Sequence, residues 1–422
     1  MLAELLEESL EKRRIINSLL DIDFYKLTMG QMVSNLHKNI PVKYALKNRT
    51  KGVCLASHIK ESDLRDELNH ARDLTFGNSE LHFLRGTNEY SERMFKEPYL
   101  DFLRNLKLPD YALRIVNGDY CIEFSGEWSA AIYWETIALS IINELYYRSL
   151  MSSLSRFQRK AVFAEGTLRL AKKIGILKER PDITFSEFGT RRRFSGPWQD
   201  FVVKALYDEL PQKQFLGTSN VHLAHKYNLL PMGTAAHELY MIYSGIYHAD
   251  ETTILSSHNM VLRDWWQEYG WGLSIALTDT YGSDFFFRDM TAEQARTWKG
   301  LRHDSGDPLV FGEKAIKFYE QHSIDSNQKI IVFSDGLDLD TMIKIADRFA
   351  NRIKITFGWG TNLTNDLGFK SLSLVVKAVE SCGHGTVKLS DNPAKAMGSN
   401  EDIEMWKKLT KYGVGIFEEC RY

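Results

Sequence analysis

The chain lacks the features that mark several protein classes. It has four cysteines, Cys54, Cys121, Cys382 and Cys420, and none are spaced as Cys-x-x-Cys. Neither a zinc site nor a disulfide framework is indicated, and a reducing, cytoplasmic setting fits. No uninterrupted apolar run approaches the ~20 residues of a membrane span. Residues 1–14 mix Glu and Lys with Leu and lack the apolar core of a signal peptide. The net charge is -2, so there is no basic excess to hold a nucleic-acid backbone. No Walker A loop is found. Gly358-Trp359-Gly360 opens a Gly-x-Gly-x-x-Gly pattern that no sixth-position glycine completes, so a dinucleotide fold is a poor reading.

What is present is ordinary for a globular chain: 44% apolar and 26% charged residues over 422 positions, enough for a barrel plus a second unit. Residues 2–20 read as a polar amphipathic helix, and residues 60–110 as charged helices. Pro41–Arg49 alternates like a strand. Leu113–Phe124 reads as two strands split by the hairpin signal Asn117-Gly118. From Glu135–Met151, a long helix, the rhythm changes. Short apolar segments recur at Ile183–Phe188, Gln214–Leu216, Leu229–Met232, Leu273–Leu277, Gly300–Arg302, Ile330–Phe333 and Ile353–Phe357. Helical runs such as Ala235–Tyr247, Gly312–Gln321 and Asp338–Phe349 lie between them. About seven such units predict an irregular TIM-like α/β barrel. Leu372–Glu380 and Thr386–Leu389, joined through residues 381–385, predict a returning hairpin. The expected division is an α+β domain at 1–134, a barrel at 135–371 and a segment 372–422 that rejoins the first domain's sheet. No low-complexity linker separates these units, so they are expected to pack together.

Barrel ligands bind at the C-terminal ends of the strands. Here those ends are polar: Glu187-Phe188-Gly189-Thr190-Arg191, Gly217-Thr218-Ser219-Asn220, Gly233-Thr234-Ala235-Ala236-His237, Thr278-Asp279-Thr280, Arg302-His303-Asp304-Ser305-Gly306-Asp307, Ser334-Asp335-Gly336 and Gly358-Trp359-Gly360-Thr361. So many together predict a phosphate-bearing ligand. In the last two, a Gly/Ser/Thr turn opens a helix and turns backbone N–H groups toward an anion. Asp304, Asp307 and Asp335 are candidates for ribose hydroxyls or Mg²⁺-bound waters; Asp307 before Pro308 equally reads as a helix cap. Arg302 can clamp pyrophosphate through its fork of donors. His237 is read about one turn into a helix. Glu238 is a poor partner for it, since adjacent helix positions point apart; Asp279 is the better candidate to orient the imidazole. Arg191-Arg192-Arg193 reads equally as a solvated loop or as an anion site.

Four of these segments, together with Leu20-Asp21-Ile22-Asp23-Phe24-Tyr25-Lys26-Leu27, resemble the nicotinate phosphoribosyltransferase family. They are Ser186-Glu187-Phe188-Gly189-Thr190-Arg191-Arg192-Arg193, Phe215-Leu216-Gly217-Thr218-Ser219-Asn220, Met232-Gly233-Thr234-Ala235-Ala236-His237-Glu238 and Gly300-Leu301-Arg302-His303-Asp304-Ser305-Gly306-Asp307-Pro308. The matching order runs from about residue 18 to about residue 398. The resemblance implies synthesis of nicotinate mononucleotide from nicotinate and phosphoribosyl pyrophosphate, a first step of NAD biosynthesis. It implies ATP as co-substrate, phosphorylating His237. Mg²⁺ comes with the pyrophosphate, through waters near Asp279 and Asp304 rather than by direct ligation. Tyr25 and Phe188 match an aromatic pair around the pyridine, and Arg191 matches the group facing it. Ser334, Gly336, Gly360 and Thr361 match positions on the 5′-phosphate, and Asp304 and Asp335 match ribose or Mg²⁺-water contacts. A homodimer in which Tyr25 crosses the interface is one expectation, and reach within its own chain is the other.

The related nicotinamide enzyme carries an acidic residue where Ser219 stands. A serine there can donate to a carboxylate, which favours nicotinate. The alternatives are nicotinamide phosphoribosyltransferase, another phosphosugar barrel enzyme such as an isomerase or aldolase, and a catalytically silent barrel. No lysine lies in the seven polar clusters, which counts against a Schiff-base route.

Overall fold

A computed structural model describes residues 2–89 and 92–413. Two sheets organise it. The antiparallel sheet contains β1 (Pro41–Asn48), β2 (Tyr111–Val116), β3 (Asp119–Glu127) and, from the far end of the chain, two further strands. The parallel sheet contains β4 (Phe185–Glu187), β5 (Phe215–Thr218), β6 (Ile275–Leu277), β7 (Gly300–His303), β8 (Ile330–Phe333) and β9 (Lys354–Trp359). The late strands of the first sheet are β10 (Leu374–Ser381) and β11 (His384–Gly385). The antiparallel order is β11-β10-β1-β3-β2 and the parallel order β5-β4-β9-β8-β7-β6.

Local chemistry explains the first sheet. Asn117 and Gly118 both take positive φ, 51° and 80°, as the tight turn between β2 and β3 requires. Val42 and Tyr44 alternate inward along β1 and are buried. The C-terminal segment returns to this sheet, with β10 pairing β1 antiparallel from Val42–Ser381 to Asn48–Leu374. Its hairpin turns earlier than expected. Cys382 and Gly383 take positive φ, so the second strand is only His384–Gly385. Thr386–Leu389 leaves the sheet, and the backbone N–H of Leu389 donates to Thr280 O at 2.7 Å.

The parallel sheet has six strands rather than seven. Leu229–Met232 contributes only a bridge from Pro231 to Thr218, because proline removes the donor a ladder needs. The six strands curl round a cavity of about 450 Å³ lined by residues from each of them and by 230–234. Among the described residues, no ladder joins β5 to β6 directly, so hydrogen bonding does not close the ring. The fold is a mixed α/β arrangement of one six-stranded parallel and one five-stranded antiparallel sheet, beside a small two-stranded ribbon (Asn88–Glu89 with Glu92–Arg93), with a barrel-like curl in place of a complete barrel.

The helix Trp134–Ser152 is buried on nearly every side and packs on β10, on the Thr190–Arg192 turn and on the helix Glu61–Asp73. Its Ser140 hydroxyl and Asn143 amide donate to the carbonyls of Thr190 and Arg191, both at 3.0 Å, and so fix the turn that follows β4. The first helix stops at Lys12 instead of residue 20; Ile15, Ile16, Leu19, Leu20 and Ile22 are buried as a non-helical lead-in to the helix Tyr25–Leu36. No helix among the described residues is long and apolar enough to cross a membrane.

Candidate active site

His237 stands at the N-cap position of the helix Glu238–Ile246, with its side chain making no cap, rather than lying a turn inside it. It is buried, and its ring is held on both sides. Nδ1 lies 2.9 Å from the Thr280 hydroxyl. Nε2 lies 2.9 Å from Asp304 Oδ2 and 2.8 Å from Lys388 Nζ. Asp279 comes to 3.7 Å from Nε2 without a hydrogen bond, so Thr280 rather than Asp279 partners the ring from this strand end. Glu238 points away, as helix geometry dictates, to Lys26, Tyr44 and Trp128. Burial and the nearby Lys388 push the imidazole down to about 4, against the pull of Asp279 and Asp304. His237 is therefore neutral at pH 7. Burial also lowers the Lys388 ammonium, to about 8, with Asp279 and Asp304 opposing.

A second group adjoins it. The Arg302 guanidinium donates to Ser334 Oγ at 2.9 Å, to Asp304 Oδ1 at 3.0 Å and to Ala235 O at 3.2 Å. Ser334 Oγ also donates to Asp304 Oδ1 at 2.9 Å. Burial opposes ionisation of Asp304, yet Arg302, His237 and Lys388 hold its carboxyl well below the usual range. A small pocket of about 70 Å³ brings together Phe188, Arg191, Arg192, Arg302, Asp304, Ser334, Gly336, Gly360 and Thr361. The strand-end turns predicted to take phosphate thus share one pocket. Gly358 makes room for it: a Cβ there would come within 2.4 Å of the Phe188 ring. Asp335 is not in this wall; its carboxylate pairs with Lys395. Asp307 caps the helix Pro308–Gln321, the structural one of its two readings.

The third group surrounds Tyr25. Its ring lies 5.5 Å from the Arg191 guanidinium within the same chain, and its hydroxyl donates to Glu135 at 3.3 Å. Glu135 also takes Lys26 and Lys377, each at 2.6 Å, with Arg191 at 3.5 Å. Lys26 reaches on to Glu238 at 2.5 Å. Burial raises the Glu135 carboxyl, but Lys26, Lys377 and Arg191 hold it well below its ordinary value. Arg191 pairs with Asp23 at 3.1 Å. Phe188 and Tyr25 make no ring contact with each other among the described residues; Arg191 stands over Tyr25 and shares the pocket wall with Phe188.

Ser219 differs from expectation. Both its backbone groups are pinned, N–H to Glu187 O and carbonyl to the Phe24 N–H, each at 2.7 Å. Its hydroxyl is thereby aimed at Asp23 Oδ1, to which it donates at 2.6 Å, so it is not free to meet a ligand carboxylate. The basic run divides: Arg193 is buried and forks onto Asp21 at 2.6 and 2.8 Å, while Arg191 and Arg192 line the pocket.

Sequence reasoning missed Lys388 and Lys395. The polar clusters hold no lysine, yet the segment after β11 carries both to them: Lys388 to His237, and Lys395 to the Asp304 carbonyl at 3.2 Å. The polar character of residues 386–395 was the available signal. Glu135, Lys26 and Lys377 gave none, each being an isolated charge within a locally apolar stretch.

The nicotinate phosphoribosyltransferase (NAPRTase) family model matches residues 183–414, and the model of that family's N-terminal domain matches residues 20–143. Among solved structures, a nicotinate phosphoribosyltransferase from Vibrio cholerae is 32% identical, over 96% of this chain and 96% of its own, with a TM-score of 0.86. One from Porphyromonas gingivalis is 32% identical, over 94% of this chain and 100% of its own, with a TM-score of 0.82.

Proposed function

Since the chain belongs to the nicotinate phosphoribosyltransferase family, we propose that it joins nicotinate to phosphoribosyl pyrophosphate, coupled to ATP through a phosphorylated His237. The observation that carries this reading is the contiguity of His237, Asp304, Arg302 and the Ser334–Gly336 and Gly360–Thr361 turns. The turns suit the 5′-phosphate, since their backbone donors face an anion without a bulky side chain between. Arg302 and Asp304 then flank the sugar: the guanidinium compensates charge on the leaving pyrophosphate, and the carboxylate accepts from a ribose hydroxyl. Phe188 and Arg191 face the pyridine, with Tyr25 behind the guanidinium. The pyridine nitrogen forms the bond to C1 of the ribose as the C1–oxygen bond to pyrophosphate breaks. Rate enhancement comes chiefly from alignment and from stabilising the departing charge.

The residues suit Mg²⁺ held through water. His237, Asp279 and Asp304 place ligand atoms within 4.8 Å of one another, but the Lys388 ammonium already stands against Nε2. Imidazole is also a poor partner for this hard ion. Asp279 Oδ1 is buried with no hydrogen-bond partner and is suited to accept from a Mg²⁺-bound water carried in with a phosphorylated ligand. The metal supplies charge neutralisation on pyrophosphate.

Incubation with nicotinate, nicotinamide or quinolinate plus phosphoribosyl pyrophosphate, with and without ATP, tests the assignment. Nicotinate mononucleotide is expected from nicotinate alone, faster with ATP, together with a base-stable, acid-labile phosphoryl label that His237→Asn loses. A preference for nicotinamide, or full labelling of that variant, refutes it.

A further inference from the structure

Nε2 of His237 has two neighbours with opposite demands. Asp304 Oδ2 at 2.9 Å needs a donor, and the Lys388 ammonium at 2.8 Å needs an acceptor. One nitrogen cannot serve both. Asp304 has other partners, because its Oδ1 already accepts from Arg302 and Ser334 and the side chain is about a fifth exposed, open to water. Lys388 has fewer: it is buried, and its nearest carboxylate oxygen, Asp279 Oδ2, stands 3.7 Å away. Deprived of Nε2, it would be a buried ammonium without a close acceptor, the costlier of the two losses.

We infer that Lys388 is a positioning residue that selects the Nδ1–H tautomer of His237 and leaves the Nε2 lone pair as the nucleophile. Thr280 Oγ, able to donate or accept, takes the Nδ1–H hydrogen bond in this tautomer and so permits the choice that Lys388 makes. The segment carrying Lys388 is itself tied to Thr280, through the Leu389 N–H to the Thr280 carbonyl at 2.7 Å. The ring is thus gripped from both edges by two segments that are hydrogen-bonded to each other. The inference rests on the phosphohistidine reading for its consequence. In that step the Nε2 lone pair forms the N–P bond to the γ-phosphorus of a nucleoside triphosphate. The bond from that phosphorus to the bridging oxygen breaks, and its electron pair leaves with the diphosphate. Lys388 keeps its protons and turns its hydrogen bond from Nε2 to a phosphoryl oxygen. Nδ1 keeps its proton, and Asp279 and Asp304 balance the ring's positive charge.

The tautomer can be read without ATP, so this inference can fail while the functional reading stands. Nitrogen-15 spectra of histidine-labelled protein, with the His237 ring assigned by its loss in His237→Asn, report which nitrogen is protonated. A bare Nε2 and a protonated Nδ1 are expected in the native chain. Lys388→Met should exchange the two, as Nε2–H turns to Asp304, and Lys388→Arg should retain the native pattern. The rate of phosphoryl labelling should fall in Lys388→Met by about 10²-fold or more, since the wrong tautomer presents a proton where the lone pair is needed. A protonated Nε2 in the native chain overturns the inference even if no variant folds; so does an unchanged tautomer in folded Lys388→Met.

Discussion

Two buried charged clusters lie on either side of the pocket, and they solve burial differently. Around Glu135, three cations (Lys26, Lys377, Arg191) meet three carboxylates (Glu135, Asp23, Glu238), with Tyr25 donating to Glu135 and with Tyr44 and Trp128 donating to Glu238; even Asp23 Oδ2, which makes no hydrogen bond, has the Arg191 guanidinium at 3.1 Å. Around His237 the demands conflict: Nε2 is contested by Asp304 and Lys388, and Asp279 Oδ1 has no hydrogen bond. A paired network holds elements in place. A cluster with unmet valence is ready for an incoming group. On the proposed reading, the difference separates the residues that build the site from those that would act in it.

The sharpest way to break the comparison is to remove the centre of the paired cluster. Glu135→Leu leaves Lys26 and Lys377 buried without their shared carboxylate, and such losses typically cost ~3–5 kcal/mol. Urea unfolding should show an unfolding free energy lowered by a comparable amount, whereas His237→Asn, which strands one buried ammonium rather than two, should lose less. Equal stability of the two variants would erase the distinction.

Glu187 sharpens the comparison as a buried carboxylate given only neutral donors. Thr218 Oγ at 2.5 Å, Gln199 Nε2 at 3.1 Å and the Gly189 N–H approach it. Burial outweighs them and raises its carboxyl from 4.5 to about 7. The folded chain then binds the proton more tightly than the unfolded one between these values. Stability should therefore fall as pH rises through that window, by about 3 kcal/mol in all. His237, with its imidazole lowered to about 4, tilts the native curve the other way between pH 4 and 6.5. Unfolding curves of the native chain minus those of Glu187→Gln isolate the carboxyl's share. A difference flat from pH 4 to 8 contradicts the assignment.

The fold was legible where the signal is local. Asn117-Gly118 marks its own turn, and the apolar segments ending in polar clusters locate the six parallel strands. Leu229–Met232 misleads because its apolar run hides Pro231. The site was half legible for the same reason. Strand-end residues such as Asp304, Ser334 and Thr361 sit side by side, since parallel pairing in register aligns the C-terminal ends of their strands. Lys388 reaches His237 from 151 positions away, and Glu135 meets Lys377 across 242; no spacing rule spans such intervals. Ser219 was placed at the right strand end but aimed wrongly, because its orientation depends on two backbone hydrogen bonds that no side-chain pattern announces.

That orientation changes what Ser219→Asp should do. On the proposed reading, the serine would act on specificity through Asp23, which pairs with Arg191, rather than by donating to the substrate. An aspartate at 219 sets a second carboxylate beside Asp23, where burial already raises the carboxyl. Two such groups share a proton or compete for the one guanidinium. Where both ionise, Arg191 is drawn from the pocket, and a carboxylate substrate would lose its partner while also meeting like charge. The expected outcome is a nicotinate kcat/KM lower by roughly 10–100-fold, about 1.4–3 kcal/mol, mostly in KM, with any nicotinamide turnover falling less. Steady-state assays of both pyridines on native and variant enzyme decide it. Unchanged nicotinate kinetics would separate Asp23 and Ser219 from substrate choice and leave the paired cluster a purely structural role.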